Sequence, residues 1–457
     1  MRVFLVVPPI LFARQAPIAI AYLAAYLKHK GHEVQARDLN TEISVSNDSD
    51  GEFWSDHVNS RDFFIKNKNL FEAWVEDILN FSPDVVGFSL WQSNEYFAIE
   101  MAKMIKKKNR DILIIFGGFW CTMNSRRLIL NDAVDVVVYG EGELTLADVV
   151  ENYDNTKLIQ GCLIKHNGEI KTAGPRMEIE HLDKLPFPDL SFFSLDKYLF
   201  KYSAPISFSR GCDWRCSFCV TSCQWKRLRV RNAENIYDEI MSRLEEFPKL
   251  RGFQICDPGV TSDIDNLSNL CDLIISGNIK VDFHGYAQIK PGMTTGLLKK
   301  LKEAGFPSLG YGMESGSSRV LNKMRRPYTP ELAEKVIKDT YHAGIEVILG
   351  FIVGFPDETE EDFQDTLNFI KRVKDCVKYV SSGHECTIIP GTYLDNYPQQ
   401  FGIIRKGNLW ETNEVSMEKR RERVNIFNDL VRGMGILSNP HEDRKFYSNK
   451  FKEMRMD

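Results

Sequence analysis

The chain has 457 residues, of which 43% are hydrophobic and 26% charged, the composition of a globular protein with a sizeable core. Its net charge of −5 gives no electrostatic reason to expect a nucleic acid or an anionic membrane as a partner. The apolar N-terminal run stops at Pro8-Pro9 without the features of a signal peptide, and no later run is long enough to span a bilayer. We therefore predict a cytoplasmic protein of two or three domains.

The first 150 residues alternate between buried strand runs and amphipathic helical stretches. The predicted strands cover residues 3–7, 34–38, 84–89, 112–116 and 134–138. This order predicts an α/β fold, a Rossmann-like doubly wound parallel sheet that binds its ligand beyond the carboxyl ends of the strands. Residues 48–69 are polar and aromatic without a clear period, so we predict an insertion there.

A connector is predicted over residues 151–203, where Pro186 and Pro188 exclude regular helix. A second series of strands is then predicted at residues 206–209, 252–256, 282–287, 308–313, 347–353 and 379–389. Six such βα units predict a partial (βα)6 barrel over residues 204–390, with its site at the carboxyl ends of the strands. Residues 391–457 are charged and predicted to form a small helical region, although they contain no readable motif.

Four of the ten cysteines lie within residues 212–223. Crowded cysteines in a cytosolic protein indicate metal or redox chemistry more than disulfides. Cys212, Cys216 and Cys219 have the spacing C-x3-C-x2-C, and three thiolates on a [4Fe-4S] cluster leave one iron open. A zinc knuckle or three buried cysteines are the alternatives, but zinc sites favour two separate C-x2-C pairs. Cys223 is either a fourth ligand or, as we favour, a small apolar residue beside the loop.

This spacing, with an aromatic residue before the last cysteine, resembles that of the radical S-adenosylmethionine (SAM) superfamily. In that family SAM chelates the open iron, and an electron passed into its sulfonium releases a 5′-deoxyadenosyl radical. Residues 310–317 resemble the family's GxESGs stretch and residues 350–359 its GxIxGxP segment. The resemblance implies a set of SAM-binding residues, namely Phe218, Asp257, Gln288, Glu314, Ser315, Ile352 and Val353. Pro258 stands where relatives often carry a second acidic residue, which puts that contact in doubt.

The N-terminal half resembles the cobalamin (B12)-binding domain that precedes the barrel in one large radical SAM group. The similarity runs through Pro8-Pro9, residues 18–24 and 31–34, and the strand-end glycines. It implies a set of cobalamin-binding residues, namely Ser89, Ser93, Asn94, Gly117, Gly118, Gly140, Glu141 and Gly142. Corrinoid mutases carry an Asp-x-His-x-x-Gly loop after the second strand, whereas residues 38–43 here contain no histidine. Cobalamin is therefore expected to bind base-off, the alternative being a Rossmann-type domain that binds no corrinoid.

Together the resemblances predict a radical SAM enzyme with a cobalamin-binding domain that modifies an unactivated carbon of a small or natural-product-like substrate. Methyl transfer is the preferred outcome, by resemblance rather than by any catalytic residue that we can name. The enzyme would need a reducing partner such as flavodoxin or ferredoxin. One alternative is a radical SAM enzyme that performs cyclisation, ring contraction or oxidation, with or without cobalamin. Another is a non-enzymatic corrinoid or iron–sulfur sensor or electron carrier.

Overall fold

The computed structural model describes residues 1–9, 13–43, 57–153, 158–166, 168–406 and 409–438. The chain divides into two compact units, Met1–Lys201 and Tyr202–Asp457, and each contains a seven-stranded sheet. Within the described ranges, no helix is both long enough and apolar enough to cross a membrane.

The first unit is an α/β sandwich around a mostly parallel sheet. Its elements are β1 (Arg2–Val7), α1 (Ile18–His29), β2 (Glu33–Asp38), α2 (His57–Lys66), α3 (Lys68–Asn80), β3 (Val85–Ser89), α4 (Glu95–Lys108), β4 (Leu113–Gly117), α5 (Phe119–Leu128), β5 (Val136–Val138), α6 (Gly142–Asn152), β6 (Cys162–His166) and β7 (Glu169–Lys171). The strand order is β2-β1-β3-β4-β5-β6-β7, and the first five strands are parallel. The apolar runs of β1, β3, β4 and β5 are buried on both faces, as parallel strands between helices require, whereas β2 at the sheet edge alternates between exposed and buried residues.

Two segments of this unit differ from the prediction. The segment predicted as a connector adds two antiparallel strands to the sheet edge: β6 follows α6 and pairs with β5, and β7 pairs with β6. The predicted insertion at residues 48–69 contains α2 and the start of α3, whose Phe71 and Trp74 are core residues. Residues 48–56 of that insertion lie outside the described ranges.

The second unit is the predicted parallel barrel-type sheet with helices between its strands. Its elements are β8 (Ser203–Ile206), β9 (Ser209–Arg210), α7 (Thr221–Gln224), β10 (Arg229–Val230), α8 (Ala233–Glu246), β11 (Gly252–Ile255), α9 (Ile264–Ser276), β12 (Asp282–Ala287), α10 (Thr295–Glu303), β13 (Ser308–Glu314), α11 (Ser318–Lys323), α12 (Pro330–His342), β14 (Glu346–Val353), α13 (Glu360–Val373), β15 (Tyr379–Glu385), α14 (Tyr393–Asn396), β16 (Ile404–Lys406), β17 (Leu409–Glu411), α15 (Met417–Gly433) and β18 (Leu437–Ser438).

All strands of the large sheet in this unit are parallel, in the order β18-β15-β14-β13-β12-β11-β8. The helices that follow the strands begin at side-chain caps. For example, Ser317 caps α11 by accepting from Val320 N, and Thr359 forms a capping box with Asp362 at the start of α13. These caps fix where each strand-to-helix loop ends, and therefore hold the loops at the carboxyl edge of the sheet.

The C-terminal region is more varied than the predicted helical segment. It contains α14 and α15, but also the antiparallel ribbon β16–β17 and the strand β18, which pairs with β15. The short strands escape prediction because each has only two or three residues, too few for a period to be read.

Candidate active site

The three spaced cysteines lie on the loop between β9 and β10, which pair as a short antiparallel ribbon and close the loop at its base. Gly211 starts the loop with a φ of 86°, and a Cβ there would lie 2.1 Å from the carbonyl oxygen of Arg227. Only glycine avoids both the strained backbone and this collision. The ribbon and this glycine together set where Cys212 leaves the sheet.

The cysteines of this loop are not in disulfides. All ten cysteines of the chain are described, and none forms a disulfide. The backbone N–H of Trp214 donates to Cys212 Sγ at 3.4 Å. Burial raises the pKa of the Cys216 thiol to about 11, although the nearby Arg326 guanidinium opposes that shift, and burial also raises the pKa of Cys212. If these thiols bind a cluster, binding would release their protons.

Backbone contacts hold the middle of the cysteine loop from two sides. Ser217 donates its N–H to the carbonyl of Met324 at 3.0 Å, and its own carbonyl accepts from Leu394 N at 2.9 Å. Cys223 donates to the carbonyl of Gly391 at 3.1 Å. The region after residue 390, which contains no readable motif, thus supports the cysteine loop directly.

An arginine lies beside the cysteine loop and pairs with Glu314. The guanidinium of Arg326 forms an ion pair with Glu314 and lies 5.2 Å and 5.4 Å from the ring centres of Trp214 and Phe218. Glu314 ends β13 with a φ of 62°, a left-handed conformation that is uncommon outside glycine. Burial raises the pKa of Glu314, while the Arg326 charge opposes the shift. A buried carboxylate is thereby held beside the predicted cluster site.

The other residues predicted near SAM divide into two groups. Phe218 and Ile352 pack against the same apolar cluster, which includes Phe355. Val353 follows Ile352 in β14, so its buried side chain points to the opposite face of the strand. Ser315 is fully buried, and its hydroxyl is 3.1 Å from that of Thr366. The structure therefore brings Phe218 and Ile352 together but directs the side chains of Val353 and Ser315 into the packing around the sheet.

Asp257 and Gln288 follow neighbouring strands and contact the approach to the cysteine loop. Asp257 accepts from Phe208 N at 2.8 Å and from Ser209 Oγ at 2.5 Å, and burial raises its pKa to about 6. Gln288 Nε2 donates to Cys212 Sγ at 3.3 Å and to Asp213 Oδ1 at 2.8 Å. Both side chains thus hold the segment that carries the first cysteine.

In the first unit, the predicted cobalamin residues cluster at the carboxyl ends of β3, β4 and β5. Gly118 has a φ of 99°, and a Cβ there would lie 3.0 Å from the backbone N and O of Leu90. Gly117 precedes it at the end of β4. Gly140, with a φ of 75°, donates its N–H to Thr122 Oγ1 at 3.0 Å. Gly118 thus allows a close approach to Leu90, and all three glycines leave this edge of the sheet without side chains.

The polar residues at this edge have different surroundings. Asn94 is fully buried, donates to the carbonyl of Ser89 at 3.1 Å and accepts from Trp91 N at 2.8 Å. Glu141 accepts from Ile179 N at 2.6 Å, and Gly142 begins α6. Ser89 and Ser93 are half-buried. The structure therefore gives Asn94 and Glu141 backbone-bonding roles within the unit and leaves the two serines partly accessible.

An exposed aromatic pair lies at the same edge. Trp91 is 53% exposed, and its ring centre is 5.7 Å from that of Phe119, with an angle of 32° between the ring planes. The Asp38 turn at the end of β2 contains no histidine, and the Asp38 carboxylate accepts from Asn40 N at 3.1 Å and from Tyr198 OH at 3.1 Å. The exposed Trp91 ring and the glycine-lined strand ends fit a large macrocycle such as a corrin.

Comparison with known families assigns both halves of the chain. The model of the B12 binding domain matches residues 13–150, and the model of the radical SAM superfamily matches residues 206–370. The chain belongs to the radical SAM enzymes that carry a B12-binding domain. Its cofactors are a [4Fe-4S] cluster, SAM and cobalamin, so the predictions of family, fold class, enzyme class and cofactors are confirmed.

Several relatives of this radical SAM chain align over most of its length. It is 26% identical to an uncharacterised methyltransferase of Pyrococcus horikoshii over 413 residues, covering 87% of this chain and 83% of the relative. It is 23% identical to a cytidylyl-2-hydroxyethylphosphonate methyltransferase of Streptomyces wedmorensis, covering 88% and 84%. The solved radical SAM methyltransferase TsrM of Kitasatospora setae, with tryptophan and a SAM analogue bound, superimposes with a TM-score of 0.70 at 16% identity, covering 94% and 83%.

The residues present in this radical SAM chain suit the cofactors of its family. Among the described residues, no group of three His, Cys, Asp or Glu side chains is placed to hold a single metal ion. Three thiols on one loop, with a backbone N–H directed at one sulfur, suit the larger iron–sulfur cluster. The assignments of individual residues to SAM and cobalamin stay predictions.

Sequence reasoning missed three side chains that the structure places at these sites: Arg326, Trp214 and Trp91. Arg326 stands beside Lys323 and Arg325 in a polar stretch, so the sequence does not indicate that it is largely buried and paired with Glu314. Trp214 lies between the first two cysteines of the motif, and the spacing of the cysteines assigns it no role. Trp91 is a large aromatic residue directly after a buried strand, and such residues are more often core than ligand-binding.

Proposed function

We propose that this radical SAM enzyme transfers a methyl group to an unactivated carbon of a small, natural-product-like molecule. The main supporting observation is that one chain contains two features. One is the three-thiol loop of Cys212, Cys216 and Cys219, and the other is the glycine-lined sheet edge of a B12-binding domain. When bound, the cluster supplies electrons for SAM cleavage and cobalamin supplies a carrier for a methyl group. The similarity to methyltransferases favours methylation over cyclisation or oxidation.

In this proposal, Cys212, Cys216 and Cys219 are the cluster ligands. Phe218 and Ile352 would contact the adenine of SAM from the apolar cluster that they share. Glu314, held by Arg326, would accept a hydrogen bond from SAM with the carboxylate oxygen that the ion pair leaves available. Cys223 would not be a ligand, because its thiol donates a hydrogen bond to the carbonyl of Gly391.

Cobalamin would bind over Gly117, Gly118, Gly140 and the exposed ring of Trp91, in the base-off form. The turn after β2 supplies no imidazole, since it contains Asp38 and Asn40 bonded to one another. We therefore expect that electron paramagnetic resonance of the cobalt(II) form will lack nitrogen splitting from an axial ligand. A clear triplet splitting would refute the base-off assignment.

The reductant is proposed to be a flavodoxin or ferredoxin, since the cluster needs one electron for each SAM that is cleaved. None of the ten cysteines forms a disulfide, which is consistent with a reducing compartment, for which we propose the cytoplasm.

Measuring the products of SAM tests this function. The full chain, reconstituted anaerobically with iron, sulfide and cobalamin, is reduced and incubated with SAM and a small-metabolite extract of the source cells. We expect S-adenosylhomocysteine and 5′-deoxyadenosine in comparable amounts, because one SAM supplies the methyl group and another supplies the radical. Cys212→Ala, which lacks one proposed cluster ligand, should form no 5′-deoxyadenosine. Formation of 5′-deoxyadenosine without S-adenosylhomocysteine would contradict methyl transfer and favour the cyclisation or oxidation alternative.

A further inference from the structure

We propose that Gln288 is a positioning residue that orients Cys212 and raises the reduction potential of the cluster through an amide-to-sulfur hydrogen bond. The inference rests on the proposed role of Cys212 as a cluster ligand. It differs from the expectation that Gln288 binds SAM, because the structure directs the amide nitrogen to the cysteine loop.

The position of Gln288 is fixed from its backbone outwards. It is the first residue after β12, and its N–H donates to Thr261 Oγ1 at 2.7 Å while the Thr261 hydroxyl donates back to the Gln288 carbonyl at 3.1 Å. The side chain is only 4% exposed. It packs against Gly259, where a Cβ would lie 2.8 Å from Gln288 Cγ. A larger residue at 259 would therefore push the Gln288 side chain from its place.

Chemistry decides which end of the amide faces the loop. Nε2 lies 3.3 Å from Cys212 Sγ and 2.8 Å from Asp213 Oδ1. A carboxylate and a thiolate are both acceptors, so the NH2 group and not the carbonyl oxygen must face them. The two N–H bonds of one amide thus reach one cluster ligand and its chain neighbour at the same time.

The charge of Asp213 is compensated on its other side. Lys290 Nζ is 3.0 Å from Asp213 Oδ2 and also donates to the carbonyl of Ser262 at 2.9 Å. Asp213 is thereby held between Gln288 and Lys290. Its carboxylate anchors the amide without leaving an uncompensated negative charge beside the cluster, which would oppose reduction.

A hydrogen bond to a ligand sulfur acts on the cluster's one-electron couple. Reduction adds one electron from the external donor, and part of the added negative charge resides on the sulfur ligands. A directed N–H stabilises that charge, so it favours the reduced state and raises the potential. In Gln288 variants the N–H of Trp214 still donates to Cys212. Because this second donor remains, losing the Gln288 amide should lower the reduction potential by a limited amount.

The test compares the reconstituted full chain with Gln288→Met, which keeps an unbranched side chain of similar length but removes the donor. Cluster reduction is followed by electron paramagnetic resonance in a redox titration without SAM. At a fixed solution potential we expect the reduced-to-oxidised ratio to fall about three- to tenfold, a shift of about 28 to 59 mV for a one-electron couple. An unchanged or raised midpoint in a cluster-containing Gln288→Met protein would overturn the proposal.

Gln254→Met is the matched control. Gln254 lies in the adjacent strand β11, and its amide donates to Ser203 Oγ at 3.2 Å and not to the cysteine loop. The midpoint potential of Gln254→Met should equal that of the wild type. If Gln254→Met shifts the midpoint potential as much as Gln288→Met does, the effect belongs to the sheet and the proposal is overturned. If Gln288→Met does not hold a cluster, Gly259→Ala is the deciding variant. Its added methyl group should displace the Gln288 amide and so lower the midpoint potential of the cluster. An unchanged midpoint potential in Gly259→Ala would overturn the proposal.

A further variant separates this inference from the function on which it rests. Cys212→Ala should lose the cluster. Retention of a full cluster by Cys212→Ala would overturn the ligand assignment and with it the role of Gln288. Loss of the cluster in Cys212→Ala together with an unchanged midpoint in Gln288→Met would overturn the inference alone.

Discussion

Glu314 combines two unfavourable features at the end of β13. Its backbone is left-handed, with a φ of 62°, and its carboxylate is only 8% exposed. The ion pair with Arg326 offsets the cost of burying the charge. Strained backbone conformations persist where the surroundings enforce them, and they cluster at functional sites. Here the strained turn places a carboxylate next to the residues proposed to contact SAM.

Replacing Glu314 by alanine or glycine separates its role in binding from its strain. Both variants remove one acceptor, a loss of roughly 1–3 kcal/mol, so SAM affinity measured by calorimetry should fall about 5- to 150-fold in both. Both also leave Arg326 without its carboxylate, but Glu314→Gly relieves the left-handed backbone. The glycine variant should therefore be more stable than the alanine variant by about 1 kcal/mol in thermal unfolding. Wild-type SAM affinity in either variant would refute the binding role.

At the scale of elements, the parallel strands were predictable and the segments around them were not. Strands such as β1 and β4 are buried on both faces, so they appear in the sequence as continuous apolar runs. The antiparallel strands β6 and β7 and the ribbon β16–β17 have three to five residues each, and their pairing depends on contacts that no local pattern encodes.

Helix α15 shows the same limit at the level of single side chains. Its arginines suggest a solvated helix, but Arg420 and Arg423 are each only 2% exposed. Arg423 donates to Glu358 Oε2 at 3.0 Å, and the guanidinium of Arg420 lies 3.9 Å from the ring centre of Trp410. Charged residues are rarely buried unless they are paired, and the sequence does not reveal the partner. The same reasoning explains why Arg326 was not predicted in the site.

Breaking the buried pair should release α15 from the sheet. Arg423→Met leaves the Glu358 carboxylate buried and unpaired, which costs about 3–5 kcal/mol and should lower the midpoint of thermal unfolding by roughly 6–20 °C. In the double variant, the additional change Glu358→Gln removes the unpaired buried charge and should restore part of the lost stability. Arg432→Met on the same helix breaks only an exposed pair with Asp429 and should change stability by less than about 1 kcal/mol. Equal losses for Arg423→Met and Arg432→Met would contradict the role of the buried pair.

At the scale of the whole molecule, two α/β units with separate sheets supply two different cofactor sites in one chain. Neither site alone accounts for methylation of an unactivated carbon. The cysteine loop provides for SAM cleavage, and the B12-binding unit provides for a methyl carrier. Methylation by this chain therefore requires both sites in the same molecule.

Tracing the methyl group of SAM tests that requirement most directly. The reduced full chain, loaded with cluster and cobalamin, is incubated with SAM carrying a trideuterated methyl group and with a small-metabolite extract, and the products are analysed by mass spectrometry. We predict that one metabolite gains an intact trideuteriomethyl group on carbon, and that this product disappears when cobalamin is omitted or when Cys212 is replaced by alanine. A modified metabolite without the label, formed together with 5′-deoxyadenosine, would contradict methyl transfer.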